Sequence, residues 1–315
     1  MKRMFMSFLM LISSHVFAEW QPTGGPIGGL GYYVLIHPTE SNQMFLSDNF
    51  AGVLVSNNAG ALWTPSNSGI LAEGQEGVDI NIFSLAVDPN NPEILWAGTK
   101  SEGDFGIFKS VDGGGTWTRK VNGIDKGLAG EENTNLVFRG FTVAPENSNI
   151  VYAQAELQTG EVGRTFLKVK GRVFKSVDGG ENWSTIWTGD NLARYLIVDP
   201  NNTDTLYLST GIFDVEAANS NCDGNSIEDL GGEGVLKSTD GGDTWQSINN
   251  GLEDPYLGTL RMHPTNSSIL YAGGVANDAC QNENIPMVGG YSVHPMAETP
   301  GRGWQSMLST ALYRL

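Results

Sequence analysis

The stretch Gly171 to Trp183, which reads G-R-V-F-K-S-V-D-G-G-E-N-W, decides the fold because the chain repeats it. A short apolar run leads into Ser-x-Asp-x-Gly, where the Asp can accept hydrogen bonds from nearby backbone N–H groups and the Gly permits a positive φ angle. A Trp then opens the next run. Related stretches are Gly106 to Trp117, Gly234 to Trp245 and, in weaker form, Gly52 to Trp63. Four copies predict a repeat protein in which each copy is a turn between two β-strands.

A second phrase precedes each copy and completes the repeat. Phe83 to Pro89 and Tyr195 to Pro200 are β-rich runs ending in Pro, and each is followed by an Asn-rich turn and another apolar run. One repeat therefore reads as four strands. The serines of the turns, Ser56, Ser110, Ser176 and Ser238, follow one another at intervals of 54, 66 and 62 residues. Four-stranded units at this spacing predict an all-β fold, a β-propeller of radially arranged blades.

The repeat resembles the Asp-box, or BNR, repeat of sialidases, sortilin-type ectodomains, photosystem II assembly factors and xyloglucanases. We interpret its recurring residues as structural: the Ser, Asp and Gly hold the turn, and the Trp packs between blades. These residues are Ser110, Asp112, Gly114, Trp117, Ser176, Asp178, Gly180, Trp183, Ser238, Asp240, Gly242 and Trp245. The resemblance does not choose a function, because such propellers carry many unrelated activities.

The two ends of the sequence suggest how the propeller is completed. Trp20 to Gly24 is similar to the strand that begins at Trp245, and Ala311 to Leu315 is similar to the strand before an Asp-box turn. We expect five blades, with Trp20 beginning a strand that completes the last blade. The alternative is a truncated piece of a larger propeller.

The first residues and the charge set the compartment and exclude some partners. Lys2, Arg3, the apolar run Met4 to Ile12 and the small-residue site at Ala18 predict a signal peptide over residues 1–18, leaving residues 19–315 as the propeller domain. The formal charge of −17 becomes −19 without Lys2 and Arg3. An acidic surface repels nucleic-acid phosphates and anionic lipid, and no later run approaches the roughly 20 apolar residues of a membrane span. We expect a secreted or periplasmic protein.

Loop length indicates the binding face. The Asp-box turns are short and uniform, whereas the loops predicted on the opposite face cover residues 155–171, 211–234 and 274–310. Long loops on a rigid scaffold usually carry binding. Phe213 and Trp304 lie in these loops and could stack on sugar rings; equally, they could cover small cores within the loops.

Two arginines are candidates for an anion clamp. Arg139 and Arg194 each lie six residues before the Pro of their own repeat, at the channel end of neighbouring blades. Two guanidinium groups at one height could hold a carboxylate or phosphate. The alternative is that each arginine pairs with acids of this acidic chain.

The first blade is similar to that of the xyloglucanases, in which an H-P-T-E-type turn precedes a Thr-Asp-x-Gly-Gly loop. The counterparts are His37 to Glu40 and Ser47 to Gly52, so the resemblance implies Asp48 as a general base. This loop is one residue longer and lacks one glycine. In that family the general acid comes from a second propeller, and inverting hydrolysis needs two carboxyl groups about 6.5 to 9.5 Å apart. The alternative is a solvated loop carboxylate.

One long loop carries a partial calcium-binding pattern. Asn219, Asn221 and Asp223 place oxygen donors at alternate positions before Gly224, but the twelfth position is Leu230 instead of Glu. No other cofactor is predicted. Cys222 lies in this loop and Cys280 in the corresponding loop of the next repeat, so we expect a disulfide between them in an oxidising compartment.

These observations favour an exported propeller that binds an extracellular ligand on its long-loop face, with a glycan or polysaccharide as the ligand that we expect. The first alternative is a glycoside hydrolase resembling the xyloglucanases, with Asp48 as base. The second is a protein-binding or assembly scaffold. The sequence does not choose between these readings.

Overall fold

The structure is a computed structural model that describes residues 31–70, 79–99, 106–124, 135–159, 168–189, 192–211, 233–252, 257–274 and 294–297. Within these ranges the chain forms β-strands and turns, and no helix is long and apolar enough to cross a membrane. The predicted signal peptide and the strand predicted at Trp20 lie outside the described residues.

The strands form five antiparallel sheets in chain order, four of them with four strands and the fifth with three. They are β1 (Gly31–Ile36), β2 (Met44–Asp48), β3 (Gly52–Ser56) and β4 (Thr64–Pro65) in blade 1; β5 (Ser84–Val87), β6 (Leu95–Gly98), β7 (Ile107–Ser110) and β8 (Thr118–Arg119) in blade 2; β9 (Asn135–Ala144), β10 (Asn147–Thr159), β11 (Lys168–Ser176) and β12 (Ser184–Gly189) in blade 3; β13 (Ala193–Asp199), β14 (Asn202–Thr210), β15 (Val235–Ser238) and β16 (Gln246–Ser247) in blade 4; and β17 (Leu257–His263), β18 (Asn266–Gly274) and β19 (His294–Ala297) in blade 5.

The blades are arranged radially, as predicted. The first strands of successive blades contact one another, β1 with β5, β5 with β9, β9 with β13 and β13 with β17. Each of these strands is the edge strand of its own sheet, so they lie on the inside, around a common axis. The predicted β-propeller architecture is confirmed.

The hydrophobic cores lie between blades, which explains why the strands are apolar on both faces. One core joins Phe45 of blade 1 to Leu95 and Phe108 of blade 2, and another joins Trp96 of blade 2 to Phe174 of blade 3. Similar cores join blades 3 and 4 and blades 4 and 5. All four residues of β6 are buried, because a blade sandwiched between two others buries both faces of its sheet.

The Ser-x-Asp-x-Gly turns have the same hydrogen bonds in three blades. In blade 2, Ser110 Oγ donates to Asp112 Oδ1 at 2.8 Å, and the Gly114 N–H donates to Ser110 Oγ. The Thr116 backbone N–H and hydroxyl donate to the two oxygens of Asp112. Gly114 has a φ of 89°, which a residue with a Cβ adopts only at a cost. The same pattern recurs around Asp178 and Asp240.

The first blade has a weaker version of this turn. Asn58 replaces the Asp and accepts from Ser56 Oγ and the Leu62 N–H through its Oδ1. Leu62 has no side-chain donor, so the second oxygen of an Asp would have no partner at that position. Ala59 replaces a Gly and has a φ of 54°, in the left-handed region.

The Trp and Lys residues of the repeat connect neighbouring blades. The indole N–H groups donate to a backbone carbonyl at the end of the preceding blade, three residues after that blade's own Trp. The bonds run from Trp117 to Ser66, from Trp183 to Lys120 and from Trp245 to Ile186. Lys109 and Lys175 reach the other way, and donate to the carbonyls of Gly179 and Gly241 in the box of the following blade.

The loop predicted over residues 155–171 is shorter than expected. Strand β10 continues to Thr159 and β11 begins at Lys168, so the loop prediction was wrong at both of its ends. The segment Gln154 to Gln158 alternates polar and apolar side chains and pairs with β9 on one side and β11 on the other. Its polar residues Gln154 and Glu156 are buried. Their polarity made this part of the strand look like a loop in the sequence.

Candidate functional site

Side chains join the inner strands of different blades. Three side-chain hydroxyls each donate to a backbone carbonyl of another blade's inner strand. They run from Ser84 to Phe138 at 2.8 Å, from Thr142 to Leu196 at 2.8 Å and from Tyr33 to Arg139 at 3.1 Å. The bond from Tyr33 joins blade 1 to blade 3, past blade 2. The inner strands are therefore held together around the axis, and we refer to the region between them as the channel.

Arg139 is held by an ion pair in this channel. Its Nη2 lies 2.6 Å from Oε1 of Glu156, whose side chain is only 2% exposed. The guanidinium carbon also lies 4.9 Å from the ring centroid of Phe83, a cation–π distance. The structure therefore favours the alternative given for this arginine, that it pairs with an acid of the chain.

Gln154 lies beside this pair and is also buried, at 2% exposure. Its side chain crosses the inner strand at Gly140, where an added Cβ would clash with the Gln154 Oε1 atom. Within the described residues, neither Gln154 Nε2 nor Glu156 Oε2 has a hydrogen-bond partner. A buried polar group left unpaired costs about 1 to 3 kcal/mol, so these two atoms mark a polar site next to the channel.

Two further arginines contribute positive charge to the channel. Burial and, secondarily, Tyr195 raise the pKa of Tyr33, whereas Arg194, Arg139 and Arg261 each lower it. The three arginines act on this phenol from three different blades. Arg261 is exposed and lies 4.6 Å from the ring centroid of Tyr195. Arg194 is partly buried on β13, where it precedes Tyr195.

Asp48 is buried at the end of β2, not solvated as the alternative reading of it proposed. Its Oδ1 accepts the N–H groups of Phe50 at 2.7 Å and Ala51 at 2.8 Å. Its carbonyl accepts the N–H of Ile82, which ties the loop to blade 2. Oδ2 accepts no hydrogen bond from the part of the chain that the structure describes. One carboxylate oxygen is thus fixed by the turn, and the other is available.

The remaining candidates lie outside the described residues. They are the ligand-binding candidates Phe213 and Trp304, the calcium candidates Asn219, Asn221 and Asp223, and the cysteines Cys222 and Cys280. Among the described residues, no group of three or more His, Cys, Asp or Glu side chains is placed to hold a metal ion.

Sequence reasoning missed Tyr33, Gln154, Glu156 and Arg261. A signal existed for the first, because Tyr33 and Tyr195 both lie five residues before the Pro of their repeat. In both blades the Tyr at that position packs against the core shared with the next blade. No local pattern identified Arg261, which lies three residues before Pro264. Arg261 comes near the axis only because the blades curve around it.

Comparison with known proteins supports the fold. No model of a protein family matches the chain. A probable oligoxyloglucan-reducing end-specific xyloglucanase of Neosartorya fischeri is 29% identical over 159 residues, which cover 49% of this chain and 17% of that protein. An ancestral GH74 enzyme of known structure superposes with a TM-score of 0.59 at 23% identity, over 92% of this chain and 32% of the enzyme.

The GH74 enzyme of Niastella koreensis gives a TM-score of 0.57 at 21% identity, over 89% of this chain and 38% of the enzyme. These likenesses show that the chain has a β-propeller fold similar to that of the GH74 enzymes. The chain spans less than two fifths of each of these three proteins.

Proposed function

We propose that this protein is exported and binds a polysaccharide on the face where the channel opens among the long loops. The observation that carries the proposal is the sequence similarity to a xyloglucanase, which accompanies a common fold over most of the chain. The channel residues add chemical support. Arg261 is exposed, and its guanidinium offers hydrogen-bond donors, one of the kinds of group that proteins use to hold sugars.

A second candidate, hydrolysis of the glycan, is favoured by the geometry of Asp48. The two backbone N–H groups fix Oδ1 and leave Oδ2 as the oxygen that could accept a proton from water. The enzyme would be a glycoside hydrolase, and an inverting one needs a second carboxyl group about 6.5 to 9.5 Å away.

The test uses the mature protein and its Asp48→Asn variant. Asparagine keeps an oxygen that can accept both N–H groups, so the variant should fold as the wild type does. Calorimetry with xyloglucan and a panel of other β-glucans measures binding, and release of reducing ends measures hydrolysis. We expect both proteins to bind at least one polysaccharide with the same affinity.

Release of reducing ends by the wild type but not by Asp48→Asn would establish the hydrolase. If neither protein binds or cleaves any glycan, the proposal is wrong, and the protein-scaffold alternative becomes the one to pursue through partner capture.

A further inference from the structure

A polar cleft lies between blades 1 and 2, at the end of the blades where the Ser-x-Asp-x-Gly turns are. Its volume is about 320 Å³, at the lower limit of the roughly 300 to 1,000 Å³ that ligand pockets occupy. Residue Gln43, which lines the cleft, precedes β2, whereas Asp48 ends that strand. The cleft therefore lies at the opposite end of the blade from Asp48, and it is separate from the site described above.

The cleft is open because small residues occupy two positions that are larger at the next junction. Ser66, Lys120 and Ile186 are equivalent, since the carbonyl of each accepts the indole N–H of the Trp in the following blade. Between blades 2 and 3, Lys120 forms an ion pair with Glu181 of the following turn. The residue of blade 2 that corresponds to Glu181 is Gly115. Between blades 1 and 2, a Ser and a Gly therefore leave open the space that this ion pair bridges one junction later.

The turn glycine of blade 2 is also packed more loosely than its counterparts. A Cβ built on Gly114 would lie 3.4 Å from its nearest neighbour among the described residues. The same Cβ on Gly180 would lie 2.3 Å from Trp96, and on Gly242 it would lie 2.6 Å from Ile186. Large side chains thus pack against the turn at the two later junctions, and the first junction keeps free space.

The cleft offers side chains that both donate and accept hydrogen bonds. The carboxamides of Gln43 and Asn57 and the hydroxyl of Ser68 line it, and none of the three groups bonds to another described residue. Gln43 reaches the facing turn, because its Nε2 lies 3.8 Å from the position of a Cβ built on Gly113. A sugar hydroxyl is likewise both a donor and an acceptor, so a carboxamide can bond to two neighbouring hydroxyls of one ring.

The charges beside the cleft favour a neutral ligand. Asp112 lines it and accepts three hydrogen bonds, two from Thr116 and one from Ser110, which lower its pKa and compensate its charge without a bound cation. A Cβ on Gly113 would lie 2.9 Å from Oε2 of Glu93, so a second carboxylate lies nearby. Two carboxylates repel an anion, and among the described residues no third acidic, His or Cys side chain joins them to hold a metal ion.

We propose that this cleft is a second sugar-binding site, which holds a ring of a neutral glycan through Gln43, Asn57 and Ser68. The inference rests on the proposed glycan binding for its class of ligand. It differs in place, because it lies at the end of the blades opposite to the long loops.

The experiment titrates the isotopically labelled mature protein with neutral disaccharides of glucose, xylose, galactose and mannose, and follows the amide signals of Gly113 and Gly114 by NMR. We expect at least one sugar to shift these signals. Ser66→Lys combined with Gly115→Glu rebuilds the ion pair of the next junction and should abolish the shifts. The turn accepts this change, because Gly115 does not have a positive φ and blade 3 carries Glu181 at the same position.

Two further variants keep the test independent of that substitution. Gln43→Ala removes a side chain without a bond to other described residues, and should weaken binding roughly tenfold, about the effect of one lost hydrogen bond. Lys120→Ser combined with Glu181→Gly is the matched control. It removes the ion pair between blades 2 and 3 and should leave the affinity of the cleft unchanged.

The outcomes separate this inference from the function on which it rests. Shifts that persist in Ser66→Lys with Gly115→Glu, or an affinity that Gln43→Ala does not change, would overturn the inference. It is also wrong if glucosamine or glucuronate shifts the two glycine signals and no neutral sugar does. If a polysaccharide of the β-glucan panel binds but no sugar shifts these signals, the inference alone fails. If no glycan binds at all, both proposals fail.

Discussion

At the residue scale, the hydrogen bonds of the Ser-x-Asp-x-Gly turns favour the ionised form of their Asp side chains. The carboxylates of Asp178 and Asp240 each accept three hydrogen bonds, from a Ser, a backbone N–H and a side chain four residues on. These bonds favour the ionised form and lower both pKa values to about 2. Asn58 in blade 1 makes only the bonds that a neutral oxygen can accept.

The lowered pKa values predict the acid limit of stability. A carboxyl group whose pKa is lower in the folded than in the unfolded state stabilises the fold above the unfolded value, here near 3.8, and this contribution is lost as the pH falls towards 2. We expect the free energy of unfolding, measured by urea denaturation, to fall across this range. Asn58→Asp combined with Leu62→Thr should make the free energy of unfolding fall more steeply with pH. The new Asp is ionised, and the Thr hydroxyl supplies the third hydrogen bond to its carboxylate. An unchanged slope in the double variant would contradict this account.

Ala59 gives a second residue-scale prediction. Its φ of 54° places a Cβ in the left-handed region, where Gly avoids a penalty of about 1 kcal/mol. Ala59→Gly should therefore raise the free energy of unfolding by up to about 1 kcal/mol, in part offset by the greater freedom of Gly in the unfolded chain. Gly179→Ala, at the equivalent position of blade 3 with a φ of 71°, is the matched control and should be destabilising.

The buried ion pair of Arg139 and Glu156 gives a third prediction at the residue scale. Removing one partner of a buried pair leaves an uncompensated charge and costs about 3 to 5 kcal/mol. We expect a loss of this size for Arg139→Met in chemical denaturation. Arg139→Met combined with Glu156→Met should recover most of it, since no buried charge remains. A double variant no more stable than the single one would argue against the pair as the cause.

At the element scale, each blade is fixed to its neighbours by residues of the turn between its last two strands. Trp183 packs edge-on against Trp96 with the ring centroids 5.9 Å apart, and its indole N–H bonds to the Lys120 carbonyl of blade 2. Trp183 therefore supplies an apolar contact between the blades, and its hydrogen bond fixes the position of one blade relative to the other. Neighbouring blades cannot slide past each other without breaking this bond.

Two substitutions separate these contributions. Trp183→Phe keeps an aromatic ring but loses the hydrogen bond, and should cost about 1 kcal/mol plus the cost of a smaller ring. Trp183→Ala also empties the interface and should cost about 3 to 5 kcal/mol. Both values come from urea denaturation followed by tryptophan fluorescence and circular dichroism. Equal costs for the two variants would mean that the interface does not depend on packing.

The same scale shows what the sequence could and could not predict. Strands and Asp-box turns were predictable because their determinants are contiguous, as in the run from Ser110 to Trp117. The channel was not, because Tyr33 and Arg139 are 106 residues apart and meet only through the curvature of the ring. Glu156 was read as part of a loop, since its alternating segment is buried on both faces and so mixes polar and apolar residues.

At the scale of the whole molecule, blade 1 presents a surface without a neighbour among the described residues. Val34 is 58% exposed and Ile36 59% exposed, whereas equivalent inner-strand residues of other blades pack against a sheet. The indole N–H of Trp63 has no acceptor in the described part of the chain. Trp117, Trp183 and Trp245 bond three residues after the Trp of the preceding blade.

This register predicts the acceptor for Trp63. If the strand expected at Trp20 completes the last blade, the third residue after it is Thr23, whose carbonyl would accept the indole N–H. We expect Trp63→Phe to cost about 1 kcal/mol in the mature chain and almost nothing in a chain lacking residues 19–25. This double-mutant cycle is measured by denaturation. Equal costs in both backgrounds would place the partner of Trp63 elsewhere.

The opposed reach of Trp and Lys across the junctions between blades 2 and 3 and between blades 3 and 4 has a mechanical consequence. A protein pulled by its two ends carries load through these two junctions, where an indole N–H bonds to the preceding blade and an ammonium group bonds to the following blade. A junction with two opposed links yields abruptly and not by gradual slippage. Force–extension curves of single molecules should then show a series of discrete unfolding steps. Each step should release one repeat of about 60 residues, or roughly 200 Å of contour length.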